Sequence, residues 1–221
     1  MYRIGLKMKK AFTMIELIFV IVVIGILAAV IMPRTGSNKL HEAATQVLSH
    51  IRYTQHLAMV DDKFDPNDAT WYREKWQIRF RRNSGASGYV IFSDSIVTQG
   101  NVNNGERAID PLTKEGIDGF LDYPNAELTA TYSIKGDDTG ITQSCFTADG
   151  SLVTSNRGVF AFDYLGRPYS GVSNATSATQ YLITANCDLT LTDTSGASVK
   201  IRVHPETGYA CILNDAGTDC I

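Results

Sequence analysis

One apolar stretch near the start of the chain constrains its fold more than any other feature. From Ala11 to Met32 the chain runs for 22 residues with a single charged side chain, Glu16. A helix of about 20 residues, at ~1.5 Å per residue, is long enough to cross the hydrocarbon core of a membrane. The sequence therefore predicts a transmembrane helix over residues 12–33.

The charges on the two sides of the apolar run predict its orientation. Four basic residues and no acidic residue precede it: Arg3, Lys7, Lys9 and Lys10. Because basic flanks stay in the cytoplasm, we expect a single-pass protein with a cytoplasmic N-terminus and most of the chain outside a bacterial inner membrane. A cleaved secretory signal peptide is the alternative, but the segment AVIMPRTG that ends the run is a poor cleavage site.

Glu16 is the unusual residue of the run, because a carboxylate inside a membrane is costly. One interpretation is that its side chain simply reaches the headgroup region. In the other, cleavage after Ala11 leaves a new α-amino group on Phe12, four residues before Glu16. In an assembly of parallel helices, the amine of one subunit would neutralise Glu16 of the next and set their axial stagger.

The segment KKAFTMIELIFVIVVIGILAAVIMPR resembles the N-terminal segment of type IV pilins and of the pseudopilins of type II secretion. In that family, prepilin peptidase cuts before the apolar run and the new N-terminal Phe is methylated. The resemblance implies that residues 1–11 are a leader, that cleavage separates Ala11 from Phe12, and that Phe12 is N-methylated. It also implies roles in filament assembly for three residues: Glu16, Gly25 and Pro33.

Two details of the leader depart from a simple match to that family. Ala11 stands where Gly usually precedes the cut, and Ala is also small. Met8 is an alternative start to Met1 and would give the short leader MKKA.

A second helical pattern follows the apolar run. Pro33 and Gly36 predict a kink. Apolar residues then recur at helical spacing, at Leu40, Ala44, Val47, Leu48, Ile51 and Ala58. The opposite face is predicted to be polar, with Lys39, Glu42, Gln46, His50 and Arg52. We therefore expect one long helix from about Phe12 to Val60, whose amphipathic second half (34–60) packs on a globular domain.

The pattern of residues 61–221 is typical of β-structure. Alternation from Trp76 to Phe80 predicts a strand, NSGASG (83–88) a turn, and YVIF (89–92) the returning strand. Residues 94–126 carry no clear strand pattern. Further strands are predicted at ELTATYSI, SCFTA, GVFAF, QYLITA, DLTLTD, ASVKIRV and YACIL. The predicted fold class is α+β: a long N-terminal helix packed on an antiparallel β-sheet or small β-sandwich, as in pilins.

Two segments of the β-region carry a second resemblance. GVFAFDYLGRP and LTLTDTSGASVKIRVHPETGY are similar to the end of the GspH/FimT-type minor pseudopilin domain. The resemblance implies a minor subunit of a type II secretion or competence pseudopilus, with residues 61–221 in the periplasm. Its partners would be prepilin peptidase, other pilin or pseudopilin subunits, and the inner-membrane assembly platform. A type IV pilus minor pilin and an anchored periplasmic binding domain that never assembles are the alternatives.

All four cysteines fall in the domain that is predicted to be periplasmic. Their spacing is not that of a zinc site, and disulfides are the default in an oxidising compartment. Four cysteines allow three connectivities. We favour Cys211–Cys220, which closes a short loop across NDAGTD, with Cys145–Cys187 as the second bridge; two free thiols are the alternative.

The sequence carries no signature of an enzyme. It lacks the G-x-S-x-G, H-E-x-x-H, P-loop and dinucleotide-binding motifs. His41, His50 and His56 are nine and six residues apart, which does not place them on one ligand face of a helix. We expect no cofactor and no metal; the acidic segment DPLTKEGID (110–118) is the one stretch considered for Ca²⁺.

One basic patch raises the question of nucleic-acid binding. It consists of Arg73, Lys75, Arg79, Arg81 and Arg82. The formal net charge of −3 argues against a general nucleic-acid binder. We expect Arg79 and Arg81 to be solvated or paired with acidic groups, and direct nucleic-acid binding is not predicted.

Overall fold

A computed structural model describes residues 13–31, 38–94, 102–103, 105–121, 123, 126–148, 152–155 and 158–221. The chain divides into two compact units, Met1–Ser37 and Asn38–Ile221. The predicted cleavage residues Ala11 and Phe12 and the predicted kink at Pro33 lie outside the described residues.

The first unit contains one described helix, α1 (Met14–Ile31). Within the described parts of the chain, no helix combines the length and the apolarity needed to cross a membrane. The predicted continuity of one helix from residue 12 to residue 60 depends on residues 32–37, which are not described.

The second unit begins with helix α2 (Asn38–Val60). The predicted apolar stripe is confirmed, because its residues are all buried: Leu40, Ala44, Val47, Leu48, Ile51 and Ala58. The predicted polar face is wrong at His50, which is only 9% exposed. The His50 imidazole is buried because its Nδ1 lies 2.7 Å from the hydroxyl oxygen of Tyr89, a polar partner inside the domain.

Short strands and two small helices make up the rest of this unit. The helices are a 3₁₀ turn, Trp71–Arg73, and α3, Leu128–Tyr132. The strands of the described residues are β1 (Gln77–Asn83), β2 (Ala86–Phe92), β3 (Ile141–Phe146), β4 (Leu152–Ser155), β5 (Val159–Phe162), β6 (Pro168–Tyr169), β7 (Cys187–Thr192), β8 (Ser198–Val203) and β9 (Ala210–Ile212).

The strands form two antiparallel sheets. The first sheet has the order β2-β1-β5-β6 and the second the order β4-β3-β7-β8-β9. One apolar core joins α2 to both sheets and includes Phe80 of β1, Phe160 of β5, Leu189 of β7 and Ile201 of β8. The predicted α+β fold class is therefore confirmed.

The hairpin of β1 and β2 is tighter than predicted. Its register runs from Gln77 opposite Phe92 to Asn83 opposite Ala86, so only two residues form the turn. These residues, Ser84 and Gly85, have φ angles of 49° and 84°. Positive φ at both central residues is the geometry that matches the twist of paired strands, and it lets the ladder continue into the predicted NSGASG turn.

Two predicted strands are wrong. ELTATYSI contains helix α3, because the Glu127 carboxylate accepts hydrogen bonds from the backbone nitrogens of Thr129 and Ala130 and caps a helical turn. QYLITA forms only isolated bridges, Leu182 to Tyr169 and Ile183 to Thr147. Strand β4 was not predicted at all, and the described part of residues 94–126 contributes only isolated bridges, as expected.

Candidate functional site

Helix α1 begins with a capping arrangement at Thr13. The Thr13 hydroxyl accepts a hydrogen bond from the backbone nitrogen of Glu16 at 3.3 Å, and its carbonyl oxygen accepts one from Leu17 at 3.2 Å. A threonine followed three residues later by glutamate is the capping-box pattern, which satisfies helix-end donors. The prediction from sequence omits this role of Thr13, although the T-x-x-E pattern signals it.

Glu16 lies in the first turn of α1 and is exposed. Within the described residues, its carboxylate has no hydrogen-bond or ion-pair partner. A negative charge in the first turn interacts favourably with the partial positive charge at the start of a helix. The carboxylate is therefore compatible with its helix and available to a positive group supplied from elsewhere.

From Met14 to Leu27, the apolar side chains of α1 are exposed on every side of the helix. Their exposed fractions range from 37% for Val23 to 81% for Met14. A Cβ placed on Gly25 would meet no atom within 4 Å. A helix that is apolar all round is stable only when other apolar groups cover it. The surface of α1 is therefore suited to contact with lipid or with other apolar helices.

The predicted basic patch is largely used inside the second unit. We call residues 170–182, which follow β6, the outer loop. Arg73 Nε donates to the Ala175 carbonyl oxygen at 2.8 Å. Lys75 Nζ donates to the carbonyl oxygens of Tyr72 at 2.9 Å and Ala178 at 3.4 Å. Both cations thus donate hydrogen bonds to backbone carbonyl oxygens. Burial also lowers the pKa of the Lys75 ammonium to about 8.

The three cations of β1 are also engaged. Arg81 Nη2 donates to both carboxylate oxygens of Asp118, at 2.6 and 2.8 Å. Arg82 pairs with Asp138. Arg79, which we expected to be solvated or paired with an acid, donates to the hydroxyl of Ser173 at 3.2 Å. Burial lowers the pKa of Arg79, and the Asp94 carboxylate opposes this shift. The outer loop covers this face of the first sheet and brings Ser173 within hydrogen-bond reach of Arg79.

Two disulfides join the four cysteines in the pairing that we favoured from the sequence. Cys145 and Cys187 are fully buried on the neighbouring strands β3 and β7. Cys211 of β9 bonds to Cys220, nine residues later. This second disulfide closes the loop that follows β9. Within the loop Gly217 has a φ of 71°, and Leu213 and Cys220 form an isolated β-bridge.

Several possible metal ligands among the described residues are bonded to other protein groups. Among the described residues, His204, Cys211 and Cys220 place ligand-type atoms within 4.8 Å of one another, but the two sulfurs are joined in a disulfide. In the segment considered for Ca²⁺, Asp110 accepts a hydrogen bond from the Tyr123 hydroxyl at 2.7 Å. Asp118 accepts from Arg81, as described above. Each of these two carboxylates thus has a protein donor.

Two turns from the segments with the second resemblance meet beside α2. Gln55 Nε2 donates to the Gly166 carbonyl oxygen at 2.9 Å and to the Thr207 carbonyl oxygen at 2.8 Å. Gly208 has a φ of 63°, and a Cβ on it would collide with the Gly166 carbonyl oxygen. Asp163 shapes the first turn by accepting hydrogen bonds from the Arg167 backbone nitrogen and guanidinium. The two segments therefore form one contiguous surface.

His50 should make the stability of this unit pH-dependent. Burial lowers the His50 pKa from 6.5 to about 4, although the Asp110 carboxylate opposes the shift. Between these values the unfolded chain binds more protons than the folded protein, so stability is full above about pH 6.5 and falls as the pH is lowered. From about pH 7.5 to about pH 5, we expect a loss of about 2 kcal/mol from this group.

Urea unfolding of the 38–221 unit at several pH values measures this loss. The variant His50→Gln should have a flatter pH dependence in this range. His56 is exposed on the same helix, and His56→Gln is the matched control that should keep the original slope. Equal slopes for all three proteins would contradict the assignment to His50.

One comparison with known proteins identifies the N-terminal segment. Residues 6–32 match a family model described as the prokaryotic N-terminal methylation motif. The match supports a protein of the type IV pilin and pseudopilin family, and thus a prepilin-like substrate of prepilin peptidase. That family consists of structural subunits. No curated protein and no solved structure matches the chain.

Proposed function

We propose that this chain, whose N-terminal segment is that of a type IV pilin or pseudopilin, is a minor pseudopilin of a type II secretion or competence system. It is made with a leader and anchored in the inner membrane through residues 12–33, with residues 61–221 in the periplasm. Prepilin peptidase cuts between Ala11 and Phe12, and Phe12 is methylated. The assembly platform then inserts the subunit into a filament, and the protein catalyses no reaction.

The observation that carries this proposal is the surface of α1. From Met14 to Leu27 its apolar side chains are exposed on all sides, and one acidic residue, Glu16, stands in its first turn. Lipid covers such a helix before assembly, and the α1 helices of neighbouring subunits cover it afterwards. The open space at Gly25 leaves room for close approach of a neighbouring helix.

Two features of the second unit support the periplasmic and minor-subunit parts of the proposal. Its two disulfides are typical of an oxidising compartment. The segments that resemble the minor pseudopilin domain meet through Gln55 and form one surface, so both belong to the same domain of this chain.

Processing is tested by intact mass and N-terminal sequencing of the protein from its native membrane, with and without prepilin peptidase. We expect a mature chain that starts at methylated Phe12 only when the peptidase is present. A chain that keeps residues 1–11 under both conditions would support an anchored domain that does not assemble, and would contradict the proposal.

Assembly is tested with Glu16→Gln, which removes the charge and keeps the shape of the side chain. Because the charge is needed to pair with the amine of the next subunit, the variant should be cleaved normally yet be lost from the sheared filament fraction. Glu42→Gln is the matched control, since Glu42 is exposed on α2. Normal incorporation of the Glu16 variant would show that this charge has no part in assembly.

A further inference from the structure

We propose that the C-terminal end of α2 and the turn between β5 and β6 carry a docking surface for a partner protein. The partner segment combines apolar side chains with lysine or arginine. We call this surface the α2-end patch, and its apolar residues are Met59, Val60, Phe64, Tyr164 and Leu165. The patch lies entirely in the second unit and goes beyond the proposed function, because it does not depend on filament assembly.

Side-chain contacts make the α2-end patch one continuous surface. A Cβ on Gly166 would lie 3.4 Å from the Met59 sulfur, so the turn between β5 and β6 rests against the last turn of α2. The Phe64 ring packs edge-on against Trp71, with 5.2 Å between the ring centroids. Trp71 and Tyr164 in turn line one small cavity. The end of α2, the segment that follows it and the turn therefore present their apolar side chains side by side.

The exposure of these side chains is concentrated rather than scattered. Their exposed fractions range from 46% for Tyr164 to 71% for Val60. Among the described residues of the second unit, twelve large apolar side chains are exposed, and five of them belong to the α2-end patch. Single exposed apolar side chains are normal on a protein surface, whereas a group of them with a polar rim is typical of an interaction site.

The segment after α2 gives the patch an acidic rim. Residues 61–68 contain four aspartates, Asp61, Asp62, Asp65 and Asp68, and one lysine, Lys63. Two cations beside the patch are neutralised, because Lys63 pairs with Asp61 and Arg167 pairs with Asp163. Asp62 and Asp65 are exposed, and their carboxylates accept hydrogen bonds from backbone nitrogens, at 3.0 Å and 2.8 Å. These two negative charges are therefore available to cations of a partner.

The shape and charge of the patch select the kind of partner. The cavity between Trp71 and Tyr164 has a volume of about 10 Å³, which holds at most about one water molecule, so it does not fit a small ligand. Asp62 and Asp65 would repel anionic lipid headgroups and the phosphates of nucleic acids. A second copy that docked through the same patch would place identical carboxylates opposite each other. A protein segment with apolar and basic side chains complements both features of the surface.

Tryptophan fluorescence of the full chain in a nonionic detergent tests the proposal. Trp71 and Trp76 are the two tryptophans of the chain, and both lie at the patch. Trp71 packs against Phe64, and Trp76 Nε1 donates to Asp61 at 2.8 Å. An octapeptide of alternating leucine and lysine, with blocked ends, should therefore change the fluorescence saturably.

Two matched octapeptides separate the apolar contribution from the charge. Serine–lysine keeps the charge without the apolar side chains, and leucine–glutamate keeps the apolar side chains with the opposite charge. Each should bind about tenfold more weakly than leucine–lysine, or not at all. The proposal is overturned if leucine–lysine causes no saturable change, or if either matched peptide binds equally well.

Substitutions assign the binding to the α2-end patch. Leu165→Ser removes an exposed apolar side chain. Asp62→Asn with Asp65→Asn removes two charges but keeps the oxygens that accept the backbone hydrogen bonds, so this variant should fold normally. Each variant should weaken binding of the leucine–lysine peptide about tenfold. Leu112→Ser is the matched apolar control, since Leu112 is 89% exposed outside the patch, and it should bind as the unaltered protein does.

A second pair of acidic residues controls for net charge. Glu115 and Asp215 are exposed outside the patch, and Glu115→Gln with Asp215→Asn should leave the affinity unchanged. Equal weakening in this variant and in the Asp62 and Asp65 variant would mean that the peptide responds to net charge alone. Unchanged affinity in the Asp62 and Asp65 variant would place the peptide elsewhere. Either result would overturn the proposal.

Sedimentation of the full chain tests the remaining occupant, a second copy of the chain. We expect the same mass for the unaltered protein and for Leu165→Ser, because the α2-end patch does not pair with itself. A dimer that is present in the unaltered protein and lost in Leu165→Ser would assign the patch to self-association and would overturn the proposal.

Discussion

Replacing Cys145 and Cys187 together by alanine is expected to lower the free energy of unfolding of the 38–221 unit by about 4 kcal/mol. The bridge joins residues 42 apart, and the entropy of the unfolded chain that a cross-link removes grows with the length of the closed loop. Both side chains are fully buried, so the variant also loses packing in the core. Urea unfolding under non-reducing conditions measures the change.

The second disulfide is the matched control for that result. The bridge from Cys211 to Cys220 spans nine residues, and the same alanine pair there should cost about 2.5 kcal/mol. Loop entropy and packing together thus predict that the loss of Cys145–Cys187 lowers the free energy of unfolding more than the loss of Cys211–Cys220 does. An equal or reversed order would mean that the closed loop and the burial of Cys145 and Cys187 do not determine the stability of this unit.

The helical core of the domain was predictable because its pattern is local. Residues such as Val47 and Ile51 repeat at the helical spacing, and all members of the predicted stripe are buried. His50 was not predictable, because its burial depends on the hydroxyl of Tyr89, 39 residues later in the chain. For a polar residue at the margin of an apolar stripe, the local sequence does not show whether the side chain faces solvent or a buried hydrogen-bond partner.

One of the two strand errors comes from a local helix cap and the other from partners farther along the chain. The alternation in ELTATYSI favours a strand, but the Glu127 carboxylate caps the backbone of the next residues and a short helix forms instead. QYLITA has the composition of a strand, yet Leu182 and Ile183 face two different partners, Tyr169 and Thr147, and form single bridges. Strand propensity alone predicts neither outcome. The Glu127 cap decides the first segment, and the bridge partners Tyr169 and Thr147 decide the second.

The N-terminal motif and the cleft beside Gln77 differ in how far the sequence could predict them. The motif at residues 6–32 is continuous, so its residues can be assigned by position alone. The cleft beside Gln77 could not be predicted, because its walls come from β1, β4, β5 and the outer loop. For the same reason the contact between Arg79 and Ser173 was not predicted, since nothing near Arg79 in the chain indicates that the outer loop covers this face.

Replacing Arg81 by methionine is expected to cost the 38–221 unit about 3–5 kcal/mol in free energy of unfolding. The Asp118 side chain is 2% exposed, and both of its oxygens accept hydrogen bonds from Arg81. Methionine preserves the aliphatic stem but leaves a buried carboxylate without its cation. Removing one partner of a buried ion pair is costly because the other charge stays desolvated.

The neighbouring residue of β1 provides the control for this prediction. Arg82 pairs with Asp138, whose side chain is 60% exposed, so Arg82→Met should cost less than about 1 kcal/mol. The double variant with Arg81→Met and Asp118→Asn removes both charges and should recover part of the loss, since no buried charge remains. Urea unfolding of these proteins and of the single variant Asp118→Asn measures the coupling between Arg81 and Asp118. If Arg81→Met costs no more than Arg82→Met, Arg81 is not a structural cation, and its charge is free to act at the surface of the domain.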